Sequence, residues 1–308
     1  MSRAILEQNN IDLKRIRDLV KNIPLVTVDG VKPDRDLRLI SSLIDRKVSV
    51  LPYNFLDGSA VVYKGEIHLI GGYETGSGSH YKWNGSKWVA ASTLPYIFSG
   101  GSAVVLNDEI HLLGGNQGSL TEHYKWHGTN WTWVGQLPYK FYGASAVVLN
   151  NEIHILGGAY GNPYDTYHYK WNDTGWEYVS DLPYQFKYGC AVIYNNEIHI
   201  LGSGTSPYTQ HYRWTGTRWA SVSKLPFELQ NGSAAVANGE IHVLGSVYDS
   251  QTQHYKWNGA WEEVGALPYA FYSGAAVALN DKIHMLGGTD AETRHEVLQE
   301  KVYTEEEL

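Results

Sequence analysis

A motif of Glu or Lys, Ile, His, two apolar residues and Gly-Gly or Gly-Ser recurs six times along the 308-residue chain. The histidines of the motif are His68, His111, His154, His199, His242 and His284. They are spaced 43, 43, 45, 43 and 42 residues apart. A self-similar period of this length is typical of repeat architectures, in which each unit buries its apolar surface against its neighbours. The period therefore restricts the chain to a propeller, a solenoid or an array.

Each repeat contains short apolar segments that predict four antiparallel strands. In the second repeat these are SAVVL at 102–106, EIHLL at 109–113, HYKW at 123–126 and WTWV at 131–134. Val, Ile, Tyr and Trp dominate them, and Asn-Asp or Gly-Gly pairs bound them, as in strands joined by tight turns. The first two segments hardly alternate between apolar and polar residues, which is typical of strands covered on both faces. We therefore predict an all-β, six-bladed β-propeller of four-stranded blades.

The spacing of glycines and aromatic residues resembles the kelch repeat. After the double glycine, a Tyr is followed seven residues later by a Trp in four repeats, and six residues later in the fifth. These pairs are Tyr81 and Trp88, Tyr124 and Trp131, Tyr169 and Trp176, Tyr212 and Trp219, and Tyr255 and Trp261. The chain departs from the kelch pattern in having Lys or Arg after the Tyr, and Ser203 and Ser246 in place of the second Gly. The resemblance covers 51 to about 300 and implies a kelch-type propeller.

The last repeat is atypical, because RHEVLQE replaces HYKW and no Trp follows it. The segment Lys47 to Val50 precedes the first Leu-Pro-Tyr, and its Val48 aligns with Val134 of the second repeat. We predict that this segment is the outer strand of the sixth blade and closes the ring, which removes exposed sheet edges. The predicted propeller spans 47–303, and 304–308 form an acidic tail.

Residues 1–46 lie outside the repeat and predict a short helical arm. Asn10 is placed to cap a first helix that ends before Pro24, and Asp34 is placed to cap a second. One interpretation is that both helices dock on the propeller of the same chain. The other is that the arm is an assembly device, which attaches the propeller to another particle protein or to copies of itself as a homo-oligomer.

Charge and hydropathy exclude several classes of partner. Residues 1–50 contain ten Lys/Arg and seven Asp/Glu, whereas the remainder contains 14 and 25. An acidic propeller is a poor partner for nucleic acid, because phosphate binding depends on Lys and Arg. No segment resembles a signal peptide or a membrane span. We therefore expect that the protein is made in the cytoplasm and does not insert into a membrane. The single cysteine, Cys190, excludes an internal disulfide and is expected to be a small buried thiol.

The histidines do not predict catalysis or a metal site. Twelve of the 13 fall at two repeat positions, and equivalent positions around a ring cannot converge on one metal. We expect them to be structural, with ring nitrogens bonded to the backbone or to Ser and Thr. The propeller has no cluster of arginines for a carboxylated sugar, and no phosphate-loop, zinc-protease or serine-hydrolase motif. We therefore predict a protein that is not an enzyme and has no cofactor.

The variable loops are the candidate binding surface. In kelch propellers, the loops between blades and those between the second and third strands share one face, and here both sets differ from repeat to repeat. Tyr, Asn, Gln and a few charged groups suit a sugar, whose ring stacks and whose hydroxyls need polar partners, and they equally suit a protein. The candidate ligand-binding residues are Asn54, Asp57, Lys140, Tyr142, Tyr160, Tyr164, Gln185, Lys187, Tyr188, Tyr208, Glu228, Gln230, Tyr248 and Tyr272.

The repeat consensus also resembles the kelch-type segments of minor structural or tail proteins of phages and prophages from Gram-positive hosts. This resemblance implies a component of a virion or phage-tail-like particle. Three hypotheses follow from this resemblance and from the face that bears the variable loops, which we call the loop face. The first is a non-enzymatic module that binds a host surface glycan, or a protein receptor, during adsorption. The second is an interaction or structural protein, whose propeller binds another particle protein through its loop face. The third, which the residues favour least, is a sugar-modifying enzyme such as a mutarotase.

Overall fold

The computed structural model describes 47–73, 78–115, 120–158, 164–247, 250–289 and 293–298. Lys47–Leu298 forms one compact unit. The described residues of this unit form 24 strands in six sheets, each of four strands. The predicted six-bladed β-propeller of four-stranded blades is therefore confirmed. The helices predicted for the arm, the segment 299–303 and the acidic tail lie outside the described residues.

The first three blades follow one another along the chain. Blade 1 contains β2 (Ser59–Tyr63), β3 (Glu66–Ile70), β4 (Ser79–Trp83) and β5 (Trp88–Thr93). Blade 2 contains β6 (Ser102–Leu106), β7 (Glu109–Leu113), β8 (Glu122–Trp126) and β9 (Trp131–Gln136). Blade 3 contains β10 (Ser145–Leu149), β11 (Glu152–Leu156), β12 (Tyr167–Trp171) and β13 (Trp176–Asp181), with a 3₁₀ turn at Tyr164–Thr166 before β12.

The remaining blades repeat this order until the sixth, which takes one strand from the N-terminal side. Blade 4 contains β14 (Cys190–Tyr194), β15 (Glu197–Leu201), β16 (His211–Trp214) and β17 (Trp219–Ser221). Blade 5 contains β18 (Ser233–Ala237), β19 (Glu240–Leu244), β20 (His254–Trp257) and β21 (Trp261–Glu263). Blade 6 contains β22 (Ala275–Leu279), β23 (Lys282–Leu286), β24 (Arg294–Leu298) and β1 (Lys47–Val50).

Strand β1 closes the ring as the outer strand of blade 6. It pairs antiparallel with β24, with Ser49 opposite His295 and Val50 opposite Arg294. The first and last strands of the described chain thus share one sheet. Each outer strand remains at the rim, while the inner strands β2, β6, β10, β14, β18 and β22 contact one another in a ring around the axis.

Tight turns join the first two strands of each blade on one face of the molecule. In blade 2, Leu106 pairs with Glu109, so Asn107 and Asp108 form a two-residue turn with φ of 49° and 63°. Such a turn needs positive φ at both positions, which Asn, Asp and Gly tolerate best. The Asn-rich dipeptides that bound the predicted strands therefore act as hairpin turns.

The apolar core is divided into six clusters, one at each junction between blades. At the first junction, Val61 and Tyr63 of blade 1 pack with Phe98, Leu112 and Trp126 of blade 2. Because each blade is covered on both faces, its strands contain nearly continuous apolar residues. The propeller is consequently stabilised by contacts between successive blades.

The double glycine lies where one blade approaches the next. Gly71 has φ of 63°, and a Cβ atom there would overlap the carbonyl oxygen of Phe98 in the following blade. The N–H of Gly72 donates to that same carbonyl at 2.8 Å. The first glycine is therefore required for this approach. The second position accepts Ser in blades 4 and 5, where Ser203 and Ser246 occupy it.

Candidate binding site at the mouth of the propeller axis

A closed ring of six backbone hydrogen bonds surrounds the axis just before the inner strands begin. Each blade contributes one residue, whose N–H donates to the carbonyl of the equivalent residue in the preceding blade at 2.6–2.8 Å. In ring order the residues are Asp57, Gly100, Gly143, Tyr188, Asn231 and Ser273, and Asp57 donates to Ser273. We call this set the axial ring. It places six side-chain positions around the mouth of the propeller axis.

All residues of the axial ring have a left-handed backbone conformation, with φ between 52° and 68°. Gly adopts this conformation without cost, and Asn and Asp adopt it more readily than other residues. Tyr188, with φ of 55°, is the bulky exception. A non-glycine residue held in this region costs on the order of 1–3 kcal/mol, and such residues cluster at functional sites. The tyrosine at this position is therefore unfavourable for the backbone alone.

Two tyrosine rings cover the part of the axial ring that has no side chains. A Cβ atom on Gly100 would overlap the ring of Tyr142, and one on Gly143 would lie 2.7 Å from the ring of Tyr188. Each tyrosine therefore reaches back over the preceding blade. The two rings are 6.3 Å apart between centroids and nearly perpendicular, which is a favourable aromatic arrangement. We call Tyr142 and Tyr188 with the two glycines beneath them the aromatic half of the mouth.

The other half of the axial ring has polar side chains. Asn231, Ser273 and Asp57 are consecutive in the ring, and Asp57 also bonds through its side chain to Ser273. Desolvation raises the pKa of the Asp57 carboxyl, and the bond with Ser273 opposes this shift. Asp57 is nevertheless exposed to solvent, while Asn231 and Ser273 are half-buried. We call these three residues the polar half. They offer hydroxyl, amide and carboxylate groups within one face.

The loops between the second and third strands begin on the same face. The N–H groups of Tyr73 and Val247 donate to the carbonyls of Leu56 and Gln230, at 2.7 and 3.0 Å. In blade 4, the N–H of Gly204 donates to the carbonyl of Lys187 at 2.5 Å. Each acceptor is the residue just before the axial ring. Both sets of variable loops therefore meet around the mouth in these blades.

Six predicted site residues lie next to the axis or in the axial ring. Asp57 and Tyr188 belong to the ring itself, and Tyr142, Lys187, Gln230 and Tyr272 come one position before it. The structure brings Tyr142 and Tyr188 into contact. The remaining four share the loop face at successive positions around the axis.

Another four predicted residues form an outer set, spread around the axis. Asn54, Lys140, Gln185 and Glu228 occupy the same position in four different blades, immediately before a buried Phe or Leu, and all four are exposed. The structure therefore does not bring them together as one site. Tyr208 is half-buried in its loop, where its carbonyl accepts a hydrogen bond from the N–H of Leu229 at 3.2 Å.

The last three predicted residues are not placed by the structure. Tyr160 and Tyr248 lie outside the described residues, and for Tyr164 only its backbone, at the start of the 3₁₀ turn, is described.

Sequence reasoning missed four polar residues on this face. Asn231 and Ser273 belong to the axial ring, and their alignment with Asp57 just before each inner strand could have revealed them. Ser203 and Ser246 hold the loops between blades in place. The hydroxyl of Ser203 donates to the carbonyl of Gln185 at 2.6 Å, and that of Ser246 donates to Gln230 at 3.1 Å.

The repeat histidines form six buried pairs, one in each blade. The two rings of a pair are joined through Nδ1 of the first and Nε2 of the second at 2.8–3.0 Å. The prediction of backbone or Ser/Thr partners was therefore wrong for Nδ1 of the first histidine of each pair. The register explains this in blade 1, because His68 lies opposite Lys82 and His80 opposite Ile70. The two histidines are thus diagonal neighbours on one face of the sheet.

The second histidine of a pair has the predicted hydroxyl partner in three blades. The Nδ1 atoms of His80, His168 and His295 lie 2.8, 3.4 and 2.9 Å from serine hydroxyls. Burial lowers the pKa of His68 to about 4 and that of His80 to about 3. These imidazoles are therefore neutral at physiological pH. Their role is to join strands and blades.

Other charged groups of the repeat are paired with one another. The Glu of the motif and the Lys or Arg of the third strand form an ion pair in five blades, for example Glu66 with Lys82 at 2.8 Å and Glu197 with Arg213 at 2.7 Å. Among the described residues, no group of three or more His, Cys, Asp or Glu could hold a metal ion. No helix in the described ranges is long and apolar enough to cross a membrane.

Comparison with known proteins supports the fold. The chain defines a six-bladed β-propeller. It is similar to the solved structure of YjhT, with a TM-score of 0.71 and 15% identity over 81% of this chain and 95% of that chain. No family model matches the sequence, and no curated protein matches it. Since 457 chains of solved structures match and a propeller scaffold serves many functions, function has to be argued from the loop face.

Proposed function

We propose that this protein is a non-enzymatic binding module that presents its loop face to a glycan on the surface of a host cell. The mouth of the axis carries this proposal. It combines a tyrosine-rich half with a polar half, on the face where the six blades differ. Aromatic rings bind the apolar face of a sugar, and side-chain hydroxyl, amide and carboxylate groups bind its hydroxyls. The buried histidines and paired charges elsewhere have structural partners, which leaves this face for recognition.

The biological setting we propose is a phage or phage-tail-like particle, in which the propeller mediates adsorption. The resemblance of the repeat consensus to tail and minor structural proteins of phages supports this setting. In this proposal, 1–46 attach the propeller to the particle and the loop face points outward. Tyrosine side chains at a binding face provide a large contact area at small entropic cost.

Binding to cell walls tests the proposal. The full chain is incubated with purified cell walls of Gram-positive bacteria and with their separated polysaccharide fraction, and the bound fraction is measured. We expect saturable binding that Tyr142→Ala reduces at least tenfold. Tyr178→Ala is the matched control, because Tyr178 is an exposed tyrosine on the outer strand β13. Absence of binding to every wall fraction would contradict a glycan-binding role.

A second candidate function is contact with another protein of the particle. Trp133 and Tyr178 are large aromatic residues at equivalent positions on the outer strands β9 and β13, with 55% and 48% of their surface exposed. Exposed aromatic residues are enriched at protein interfaces. Under this alternative, Trp133→Ala with Tyr178→Ala impairs particle assembly, whereas the loop-face variant Tyr142→Ala yields intact particles with unchanged adsorption.

A further inference from the structure

The axial ring has two chemically different halves that face each other across the axis. In ring order, Asp57 and Tyr188 are three positions apart in a ring of six, so they lie on opposite sides. Asn231 and Ser273 immediately precede Asp57 in the ring, whereas Gly100 and Gly143 lie beneath the tyrosines. A ligand at the mouth would therefore meet the rings of the aromatic half, here called the aromatic wall, on one side and hydrogen-bonding groups on the other.

The glycines are what allow the aromatic wall to form. Any side chain at Gly100 would overlap the ring of Tyr142, and one at Gly143 would press on the ring of Tyr188. These two residues are the glycines of the axial ring, and they are adjacent in it. The ring has polar side chains at the positions from Asn231 to Asp57. The asymmetry of the sequence around the ring thus corresponds to an asymmetry of chemistry at the mouth.

The backbone conformation of Tyr188 is the observation that points most directly to a ligand. Its φ of 55° is unfavourable for an aromatic residue, and the other blades place Gly, Asn, Asp or Ser at this position. Strain of this kind persists where the surrounding structure imposes it and is frequent at binding sites. The other five blades form the axial ring with smaller residues, so closure of the ring does not require a tyrosine side chain at this position.

Charge at the mouth restricts the ligand further. Asp57 is the one charged side chain of the axial ring, and an anionic group beside it would be repelled. Desolvation disfavours the ionised form of this carboxyl and so raises its pKa. A second negative charge nearby would disfavour the ionised form further. Sugar hydroxyls, in contrast, donate hydrogen bonds to a carboxylate. The ligand that fits this half is uncharged and carries several hydroxyls.

We infer that the mouth of the axis is a subsite for one neutral pyranose unit. The apolar face of the sugar packs against Tyr188 and Tyr142, and its hydroxyls bond to Asp57, Ser273 and Asn231. This inference rests on the proposed glycan-binding function and deepens it, because it names the class of sugar and the residues that contact it. It also excludes a carboxylate or phosphate on the side of the sugar that faces Asp57, whereas the cationic residue Lys187 adjoins Tyr188 on the opposite side.

Saturation-transfer NMR on the full chain tests the subsite. The probes are the methyl glycosides of glucose, galactose, N-acetylglucosamine and glucuronic acid. We expect transfer to at least one neutral glycoside and none to the glucuronide. Tyr188→Gly should abolish transfer and leave the protein folded, since glycine adopts positive φ without strain and this gain opposes the loss of the ring contact with Tyr142. Removing a merely structural tyrosine would instead lower the melting temperature and leave transfer unchanged.

Two further variants sharpen the result. Asp57→Asn keeps a residue that tolerates positive φ and removes the charge, so transfer to the glucuronide should appear. Tyr178→Ala, on the outer strand, should leave transfer unchanged. The inference is overturned if no neutral glycoside shows transfer, if Tyr188→Gly binds as the wild type does, or if the glucuronide binds best.

The subsite and the proposed function fail in different ways. Cell-wall binding that survives both Tyr188→Gly and Asp57→Asn would retain a glycan-binding role and overturn the subsite. Transfer to a neutral glycoside that Tyr188→Gly abolishes, together with no binding to any cell wall, would support the subsite and contradict adsorption to a host wall.

Discussion

Blades 1 and 2 have closely similar sequences, yet they join their following blades differently. In blade 1, the hydroxyl of Ser92 lies 2.8 Å from Nδ1 of His80 and accepts a hydrogen bond from Nε1 of Trp131 in blade 2 at 3.0 Å. His80 continues the chain to His68 at 2.8 Å. This series of hydrogen bonds satisfies Nε1 of Trp131 and both ring nitrogens of His80, and it crosses the junction between blades.

Blade 2 lacks the hydroxyl in the middle of this chain. Gly135 pairs with His123 at the position that Ser92 occupies opposite His80. Nδ1 of His123 and Nε1 of Trp176 in blade 3 are buried, and neither has a hydrogen-bond partner in the part of the chain that the structure describes. Each unsatisfied buried group costs about 1–3 kcal/mol. The comparison shows that the junction tolerates this loss, because apolar packing between the blades remains.

The same series of hydrogen bonds is present where blade 6 meets blade 1 and the propeller closes. Ser49 on β1 lies 2.9 Å from Nδ1 of His295, and it accepts a hydrogen bond from Nε1 of Trp88 at 3.0 Å. Strand β1, which completes blade 6, therefore joins blade 6 to blade 1 in the same way as blade 1 is joined to blade 2. It does so although β1 precedes blade 1 in the sequence. The junctions with the serine, and those with Gly135 or Gly265 in its place, form a natural set of variants within one molecule.

Acid should lower the free energy of unfolding more than any substitution below. It tests the buried histidine pairs, which blades 1 and 2 share. Eleven repeat histidines have pKa values that burial lowers to about 3 or 4, from an ordinary value of 6.5. The unfolded chain therefore binds more protons in acid, so stability is full above pH 6.5 and is lost as the pH falls toward 4. Each such histidine contributes about 1.4 kcal/mol per pH unit in this window.

Denaturant unfolding at successive pH values measures this dependence. We expect the free energy of unfolding to fall steeply below pH 6.5, with cooperative loss of the fold before pH 4. The ring resonances of His68, His80, His111 and His123 in the folded protein should not titrate above pH 5. A stability profile that is flat between pH 7 and 4.5 would contradict the neutral, buried state of the pairs.

Removing the hydroxyl of blade 1 should give the next largest effect and convert its junction into that of blade 2. In Ser92→Ala, Nδ1 of His80 and Nε1 of Trp131 lose their shared partner. Both lie at the buried junction, so we expect a loss of about 2–3 kcal/mol in the free energy of unfolding. Ser86→Ala is a suitable control, because Ser86 bonds to Asn84 in an exposed turn. A loss below about 0.5 kcal/mol would show that the hydroxyl does not stabilise the junction.

The repeat made most of the scaffold predictable, and the loop face only in part. Four strands per blade, tight Asn turns and the double glycine all follow from residues that recur at one spacing, since a recurring residue has the same environment in each blade. The link between His68 and His80 was missed because it depends on strand register, which apolar patterning does not specify. Asn231 and Ser273 were missed because the axial ring is formed by the backbone, and its positions share a conformation but no side chain.

Restoring the hydroxyl of blade 2 should give the smallest effect, with the opposite sign. Gly135 does not have a left-handed backbone, and a Cβ atom there would meet nothing within 4 Å. Gly135→Ser can therefore place a hydroxyl between His123 and Trp176 without displacing a neighbour. We expect a gain of about 1–2 kcal/mol, from two newly satisfied groups and from reduced freedom of the unfolded chain. Chemical denaturation of the variant and the wild type in parallel measures this gain.

A double-mutant cycle separates the two contributions to this gain. Trp176→Phe removes the N–H group, so Gly135→Ser in that background should lose the part of its gain that comes from the bond to Trp176. Gly135→Ala is the second control, because it restricts the unfolded chain without adding a hydroxyl. If Gly135→Ala and Gly135→Ser stabilise the protein equally, the hydroxyl adds nothing, and solvent already satisfies both groups. If only serine stabilises, the difference between blades 1 and 2 is a hydrogen-bond difference, and it can be transferred from one junction to the other.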